Sequence, residues 1–212
     1  MKPNKIEKTQ FAIQSENHWK TISDSYYQSN YDACLDRKKW FANYIKDHYQ
    51  FTTVLEVGFN EGTNLRMIHN VSPEVKICGI ELHENAFHFA KSVLPEDSKL
   101  VLGNMYDLQD YFEENEVDLL FTMGVIIHVP PGMNQYLAEV FSYISKKYII
   151  HIEDHDAGND GAKISAQDLR WIHSYTKMYE NINCKIRIGH DPVVDANGGA
   201  NHLIEVILNK GE

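Results

Sequence analysis

The 212-residue sequence lacks three features that would each indicate a class of protein. No apolar run approaches the roughly 20 residues of a bilayer-spanning helix, and the polar residues 1–5 do not resemble a signal peptide. The three cysteines are isolated, odd in number and without a metal-ligand spacing. Lys and Arg number 20 against 30 Asp and Glu, a formal charge of −10 that opposes binding to a polyanion. We therefore expect a cytoplasmic protein with no membrane segment and no nucleic-acid partner.

The length fits one domain, and 43% apolar residues indicate a folded one. We expect an N-terminal helical arm over residues 1–50 and the main fold over 51–212. The arm contains a predicted helix over 32–48 and, before it, several aromatic residues: Phe11, Trp19, Tyr26, Tyr27 and Tyr31. These aromatic residues either pack onto the core or form a lid over a binding site.

Residues 54–68 combine a strand, a tight loop and the start of a helix. The apolar run 54–57 ends at Gly58, and the helical spacing begins just after Gly62. Glycine allows backbone angles and close approaches that a Cβ would block. The loop 58–62, called here the glycine loop, is therefore a predicted cofactor site.

The glycine loop lacks the middle glycine of a dinucleotide site. The pattern G-x-G-x-x-G would require glycines at positions 60 and 63, where the chain has Asn60 and Thr63. An acid, Glu56, stands two residues before Gly58. A carboxylate there favours a positively charged ligand over one that carries phosphates. A nicotinamide-dependent oxidoreductase or epimerase is therefore disfavoured, although it stays an alternative.

This acid-x-Gly-x-x-x-Gly loop resembles motif I of the class I S-adenosylmethionine-dependent methyltransferases, with Asn60 in place of the usual middle glycine. The resemblance implies S-adenosylmethionine as methyl donor and S-adenosylhomocysteine as product, bound by Glu56, Gly58, Asn60 and Gly62. A non-catalytic protein that binds the same cofactor is an alternative.

The predicted fold is an α/β, Rossmann-like three-layer sandwich with a mostly parallel seven-stranded sheet. The predicted strands are residues 53–57, 76–80, 100–102, 117–123, 147–153, 184–188 and 202–208. Because no helix separates the last two strands, they must pair antiparallel. The one antiparallel strand near the C-terminus is a trait of the methyltransferase family that the loop resembles. A further helix is predicted over Ser165–Tyr179 from apolar residues at helical spacing.

Polar residues follow the second and third predicted strands. Glu81, with Leu82 beside it, lies 23 residues after Gly58 and is placed to accept hydrogen bonds from ribose hydroxyls. The resemblance implies that Asn104 and Met105 meet the adenine. The alternatives are a solvated strand-end acid and a plain polar turn. Asp107 is the predicted N-cap of the segment that follows.

The fourth strand leads into the predicted catalytic residue, His128. Strands one and four flank the switch point of such a sheet, so Met123 and Gly124 are expected at the cofactor and His128 at the acceptor, as a general base. A histidine satisfied within a turn is the alternative.

The polar cluster Glu153–Asp156 ends the fifth strand and raises the question of a metal. Metal-dependent members of the family place an acid at the end of strand four, where this chain has Met123 and Gly124. We predict no metal and a cluster that faces the acceptor or caps its loop.

More narrowly, residues 121–128 and the arm residues His18, Trp19, Tyr26, Tyr27 and Asn30 resemble methylases associated with pseudaminic-acid biosynthesis. That resemblance implies a small-molecule acceptor such as a sugar or a sugar nucleotide.

Overall fold

The strands form a single mixed sheet in the computed structural model, which describes residues 1–22, 35–164, 169–190 and 202–210. Short runs rich in aliphatic and β-branched residues supply the central strands, which are buried on both faces. The strands are β1 Thr53–Val57, β2 Lys76–Glu81, β3 Lys99–Leu102, β4 Val117–Met123, β5 Ser145–Glu153, β6 Cys184–His190 and β7 His202–Leu208.

The sheet order is β3-β2-β1-β4-β5-β7-β6, and β7 alone among these strands runs in the direction opposite to the other six. In the register, Val57 at the end of β1 lies between Ile80 of β2 and Thr122 of β4. The carboxyl ends of these three strands therefore meet at one edge, where the chain order reverses between β1 and β4. The predicted fold class, including its single reversed strand, is confirmed.

Helices cover both faces of the sheet. They are α1 Gln10–Thr21, α2 Leu35–His48, α3 Thr63–Val71, α4 Glu84–Val93, α5 Asn134–Ile144 and α6 Tyr175–Met178, with 3-10 helices at Met105–Asp110 and Ile126–His128. None of the described helices is long and apolar enough to cross a membrane.

The core has two halves, one on each side of the sheet. Leu55 and Val57 of β1 face the half built with α1, α5 and α6, whereas Val54 faces the half built with α2, α3 and α4. This alternation follows from the two-residue period of a strand. The three layers place α1 and α2 on opposite faces, and both helices line the cavity described below.

Two local predictions are wrong. Asn104, and not Asp107, caps the 3-10 helix after β3, since its Oδ1 accepts from the Tyr106 amide at 3.0 Å. Asp107 lies within that helix, and its Oδ1 accepts from Lys5 Nζ at 3.0 Å. The helix begins earlier than its sequence indicates because Asn104 satisfies the first free amide.

The second wrong prediction is the helix over 165–179. Residues 165–168 lie outside the described residues, but Trp171 and His173 form β-bridges with Lys163 and His155, and only Tyr175–Met178 is helical. The Trp171 amide donates to the carbonyl of Ile127 at 2.7 Å, a bond to a distant segment that a helix would not allow. Trp171 and His173 are buried while Ile172 between them is partly exposed, as in extended chain. A long-range contact has overridden the local apolar spacing.

Candidate functional site

A cavity of about 290 Å³ lies at the carboxyl ends of β1, β2 and β4. Small-molecule sites in open α/β sheets occur at this edge. Of the predicted site residues, the lining contains Glu56, Gly58, Asn60, Glu81, Leu82, Asn104, Met105, Met123, Gly124 and His128. Gly62 lies just behind the lining, where its amide donates to the carbonyl of Phe59 at 2.9 Å.

Three residues of the glycine loop have left-handed backbone. The φ angles are +71° at Gly58, +54° at Asn60 and +74° at Gly62. Asparagine is among the few side-chain-bearing residues that adopt this conformation readily. Asn60 therefore keeps the loop shape that a middle glycine would give. A Cβ on Gly58 would lie 2.7 Å from Cγ2 of Val125, so the loop also packs tightly against the chain after β4.

Glu56 presents a buried carboxylate to the cavity. Its side chain is 2% exposed, and Oε1 accepts from Asn64 Nδ2 at 2.6 Å. Oε2 is buried and has no hydrogen-bond partner within the described part of the chain. Burial raises the pKa of Glu56 well above its usual range, and Lys38 opposes that shift. The site therefore holds an acceptor that a ligand with an N–H⁺ group would satisfy.

Glu81 is buried too, but its oxygens are engaged. Oε2 accepts from the amide of Asn60 at 2.7 Å, and Oε1 accepts from the amides of Leu82 and His83, each at 2.8 Å. Burial raises its pKa, and these three backbone bonds oppose the shift. A carboxylate has about four lone-pair sites, so one remains here. Glu81 can accept one hydroxyl without losing a backbone donor, while a second would have to displace one.

Asn104 and Met105 lie at the edge of the cavity next to Gly103. Because Oδ1 of Asn104 caps the Tyr106 amide, the side-chain NH₂ is the group left to contact a base. Met105 is half-buried and offers an apolar surface.

His128 lies in the cavity wall at the end of a 3-10 helix. Its Nδ1 lies 3.1 Å from the carbonyl oxygen of Leu169, so Nδ1 donates and Nε2 carries the lone pair of the neutral ring. The Trp19 ring packs edge-on against it at 4.5 Å between centroids. Ser15 Oγ donates to the His128 carbonyl at 3.0 Å. Helix α1 thus holds the predicted base in place.

Several cavity residues were not predicted from the sequence. Arg37 and Lys38 on α2, Glu16 on α1 and Glu61 in the glycine loop all line the cavity. Burial raises the pKa of Glu61 to about 7. The amphipathic spacing of α2 indicates a buried face, but it does not distinguish a cavity from a core. For Glu61, its position inside the glycine loop was the available signal.

The cluster Glu153–Asp156 does not stay together. Glu153 is fully buried beneath the chain after β4, whereas Asp156 is partly exposed and accepts from the amide of Gly158 at 2.8 Å. His155 Nδ1 lies 3.1 Å from the carbonyl oxygen of His173. Within the described residues, no group of three or more His, Cys, Asp or Glu is arranged to hold a metal ion.

Residues 54–147 match the family model described as a methyltransferase domain. The tRNA (guanine-N(7)-)-methyltransferase of Limosilactobacillus reuteri (strain DSM 20016) is 31% identical over 94 residues, which cover 42% of this chain and 43% of that protein. The chain thus spans less than half the length of this curated relative.

Two solved structures share the fold over most of their length. The plantazolicin methyltransferase BamL, solved with a desmethylPZN analogue and SAH, has a TM-score of 0.66 and 12% identity over 93% of this chain and 95% of its own. The methyltransferase domain of bacterial CtHen1-CN has a TM-score of 0.60 and 16% identity over 82% of this chain and 99% of its own. The match of residues 54–147 to a methyltransferase domain agrees with the resemblance of the glycine loop, and the two solved structures show that the fold is shared. The use of S-adenosylmethionine belongs to the proposed function, and the narrower resemblance to pseudaminic-acid methylases stays a prediction.

Proposed function

We propose that this chain, whose residues 54–147 match a methyltransferase domain, transfers a methyl group from S-adenosylmethionine to a small-molecule acceptor in the cytoplasm. The observation that carries the proposal is the oxygen of Glu56 that has no partner among the described residues, a buried acceptor in a cavity shaped by three left-handed residues. The donor has both an ammonium group and a sulfonium, and either would favour a carboxylate there.

In this proposal, each residue of the cavity contacts a different part of the donor. Glu56 pairs with the ammonium end, Glu81 accepts from the ribose, and Asn104 with Met105 contacts the adenine. The backbone of the glycine loop lies along the donor, and Leu82 covers the ribose. Met123 and Gly124 lie near the transferred methyl group. A diphosphate fits this wall poorly, because Glu56, Glu61 and Glu81 all line it.

The cavity wall also carries positive charge. Arg37 is 8% exposed, and Lys38 lies close enough to Glu56 and Glu61 to oppose the rise of their pKa values. A wall with both signs fits the amino-acid end of the donor, which is a zwitterion. In this proposal Arg37 and Lys38 face its carboxylate.

The donor supplies an activated methyl group on sulfur, so the protein's main task is to align the acceptor with it. For a hydroxyl acceptor, the new C–O bond forms as the C–S bond breaks, the sulfur leaves as a neutral thioether, and the hydroxyl proton moves to Nε2 of His128. The bond from Nδ1 to the Leu169 carbonyl keeps the imidazole in the tautomer that this step needs.

The acceptor is proposed to be a small molecule for two reasons. The formal charge of −10 opposes a nucleic acid, and α1 covers the cavity through Ser15, Glu16 and Trp19. A role of α1 as a lid belongs to the same proposal. A sugar or sugar nucleotide is the narrower expectation, and it depends on the resemblance of residues 121–128.

Calorimetric titration with S-adenosylhomocysteine, methylthioadenosine and NAD tests the donor. We expect Glu56→Gln to weaken S-adenosylhomocysteine about tenfold, since a charge-assisted bond to the ammonium is lost, and to leave methylthioadenosine unchanged because it lacks the amino-acid end. Tighter binding of NAD than of S-adenosylhomocysteine by the unaltered protein would overturn the proposal.

A panel of acceptors then tests the substrate class. Sugars and sugar nucleotides are compared with tRNA and with a peptide, since one relative acts on tRNA by its name. Methylated product, detected by mass, is expected with a small molecule. Product with tRNA alone would contradict the acceptor class while leaving the donor assignment intact.

A further inference from the structure

Glu153, the last residue of β5, accepts hydrogen bonds from the backbone that follows β4. It is fully buried and lies outside the cavity lining. Its Oε1 accepts from the amide of Val125 at 2.8 Å, from the amide of Ile126 at 3.1 Å and from Thr122 Oγ1 at 2.9 Å. Residues 124–128, called here the 124–128 turn, are thus tied to one side chain.

The 124–128 turn contacts the glycine loop, which is the proposed donor site, and it contains His128, the predicted base. The side chain of Val125 packs on Gly58, where an added Cβ would lie only 2.7 Å from Cγ2. The amide of His128 donates to the carbonyl of Val125 at 3.0 Å. A shift of Val125 would therefore disturb the glycine loop and the predicted base together.

A hydrogen-bond chain behind Glu153 is oriented toward it. Burial lowers the pKa of His151 to about 3, so this ring is neutral, with one donor and one acceptor nitrogen. Nε2 of His151 lies 2.7 Å from the Tyr179 hydroxyl, and Nδ1 lies 2.8 Å from Thr122 Oγ1. Since Thr122 gives its single proton to Glu153, it accepts from Nδ1, and Nε2 accepts from Tyr179. Every donor in the chain points toward the carboxylate.

This arrangement is unfavourable for stability. Burial raises the pKa of Glu153 to about 7 against the effect of its hydrogen bonds, and Oε2 has no partner within the described ranges. A buried charge without full pairing destabilises a fold, and a neutral residue of similar shape is often better tolerated. Its place directly beneath the 124–128 turn therefore indicates a role other than stability.

We propose that Glu153 is a positioning residue for methyl transfer, which fixes the 124–128 turn so that Val125 closes on Gly58 and His128 faces the cavity. The inference rests on the proposed donor, but not on the identity of the acceptor.

Asp118 provides a matched control at the opposite end of β4. It is 9% exposed, and its Oδ2 accepts from both the amide and the hydroxyl of Thr52 at 2.8 Å. It is therefore another mostly buried acid that anchors a strand connection, and it lies outside the cavity lining.

The test compares Glu153→Gln with Asp118→Asn, both close in shape to the residues they replace. By titration calorimetry we expect Glu153→Gln to weaken S-adenosylhomocysteine about tenfold, equivalent to about 1.4 kcal/mol, and Asp118→Asn to stay within about twofold. Equal effects of the two variants, or a Glu153→Gln affinity within about twofold of the unaltered protein, would overturn the inference.

Two further measurements identify the route and separate the inference from the proposed function. In a double-mutant cycle with Val125→Ala, the losses should not add if Glu153 acts through Val125, whereas additive losses would contradict that route. Hydrogen exchange of the ligand-free protein should show faster exchange at the amides of Val125 and Ile126 in Glu153→Gln, and unchanged exchange would overturn the positioning role. If the unaltered protein binds no S-adenosylhomocysteine, the proposed function fails, and the exchange experiment still decides the role of Glu153.

Discussion

The two sides of the cavity differ in how they are built. On the proposed donor side, Glu56, the glycine loop and Glu81 come from two successive strand ends, and Glu81 is held by backbone amides from its own connection and from the glycine loop. On the acceptor side, His128 is held by Ser15 and Leu169, which lie 113 and 41 residues away in the sequence. The donor side depends on local geometry and the acceptor side on long-range contacts. Changes to the donor side should therefore alter cofactor affinity, and changes to the acceptor side should alter turnover.

The largest effect is expected at the glycine loop. Gly58→Val should abolish donor binding, a loss of more than about a hundredfold, because the new side chain meets Val125 and φ is +71°. Titration with S-adenosylhomocysteine measures the loss. Gly132→Val is the control, since Gly132 has φ +90° and open space around its Cβ position. If Gly58→Val kept its affinity for S-adenosylhomocysteine, the expectation that the proposed donor side controls cofactor affinity would be wrong.

A smaller effect, confined to turnover, is expected at the predicted base. With a hydroxyl acceptor, His128→Ala should lower kcat about a hundredfold, because proton transfer by a positioned base contributes in that range. Affinity for S-adenosylhomocysteine should stay within about threefold. The exposed His88 gives a control, His88→Ala, with no expected change in kcat. Equal turnover in both variants would remove His128 from the mechanism.

A pH experiment tests the destabilisation caused by Glu153, the buried acid beneath the 124–128 turn that contacts both sides of the cavity. The folded pKa of Glu153 is raised to about 7 from 4.5, so the folded state binds its proton more tightly than the unfolded state does. Its contribution to stability is present below about pH 4.5 and is lost as pH rises through 7. Between pH 5 and pH 8, the free energy of unfolding of the unaltered protein should fall relative to Glu153→Gln by up to about 3 kcal/mol. Denaturant titrations of both proteins measure this, and a difference independent of pH would contradict it.

The smallest effect is expected where α1 holds the His128 backbone. Ser15→Ala removes one hydrogen bond of about 1 kcal/mol to the His128 carbonyl and should lower kcat a few-fold, with donor affinity unchanged. Ser92→Ala, at an exposed serine on α4, should change neither value. A loss of donor affinity in Ser15→Ala would show that α1 serves the donor side as well.

The difference between local geometry and long-range contacts also explains which features could be predicted from the sequence. The run 54–62 contains its strand, its left-handed positions and its acid within nine residues, and Glu81 follows from the length of one β-α-β unit, so all of them could be located. The apolar spacing of 169–179 predicted a helix because it carries no information about the bond from Trp171 to Ile127. Similarly, the sequence of Glu153–Asp156 does not show that Glu153 is fully buried while Asp156 is partly exposed. Arg37 was not predicted because the apolar spacing of α2 indicates a buried side of the helix, but it does not show whether that side contacts the core or a cavity.

The single reversed strand has a consequence for how such a protein can vary. Because β7 runs antiparallel to β5 and β6, His202 at its start pairs with the last residue of each. These residues are Glu153 of β5 and His190 of β6. The end of β6 and the start of β7 therefore lie at the edge of the sheet where β1 and β4 also end. Substitutions at these two strand ends can thus change the surroundings of the proposed acceptor while the pairing of β1, β2 and β4 around the proposed donor site is kept.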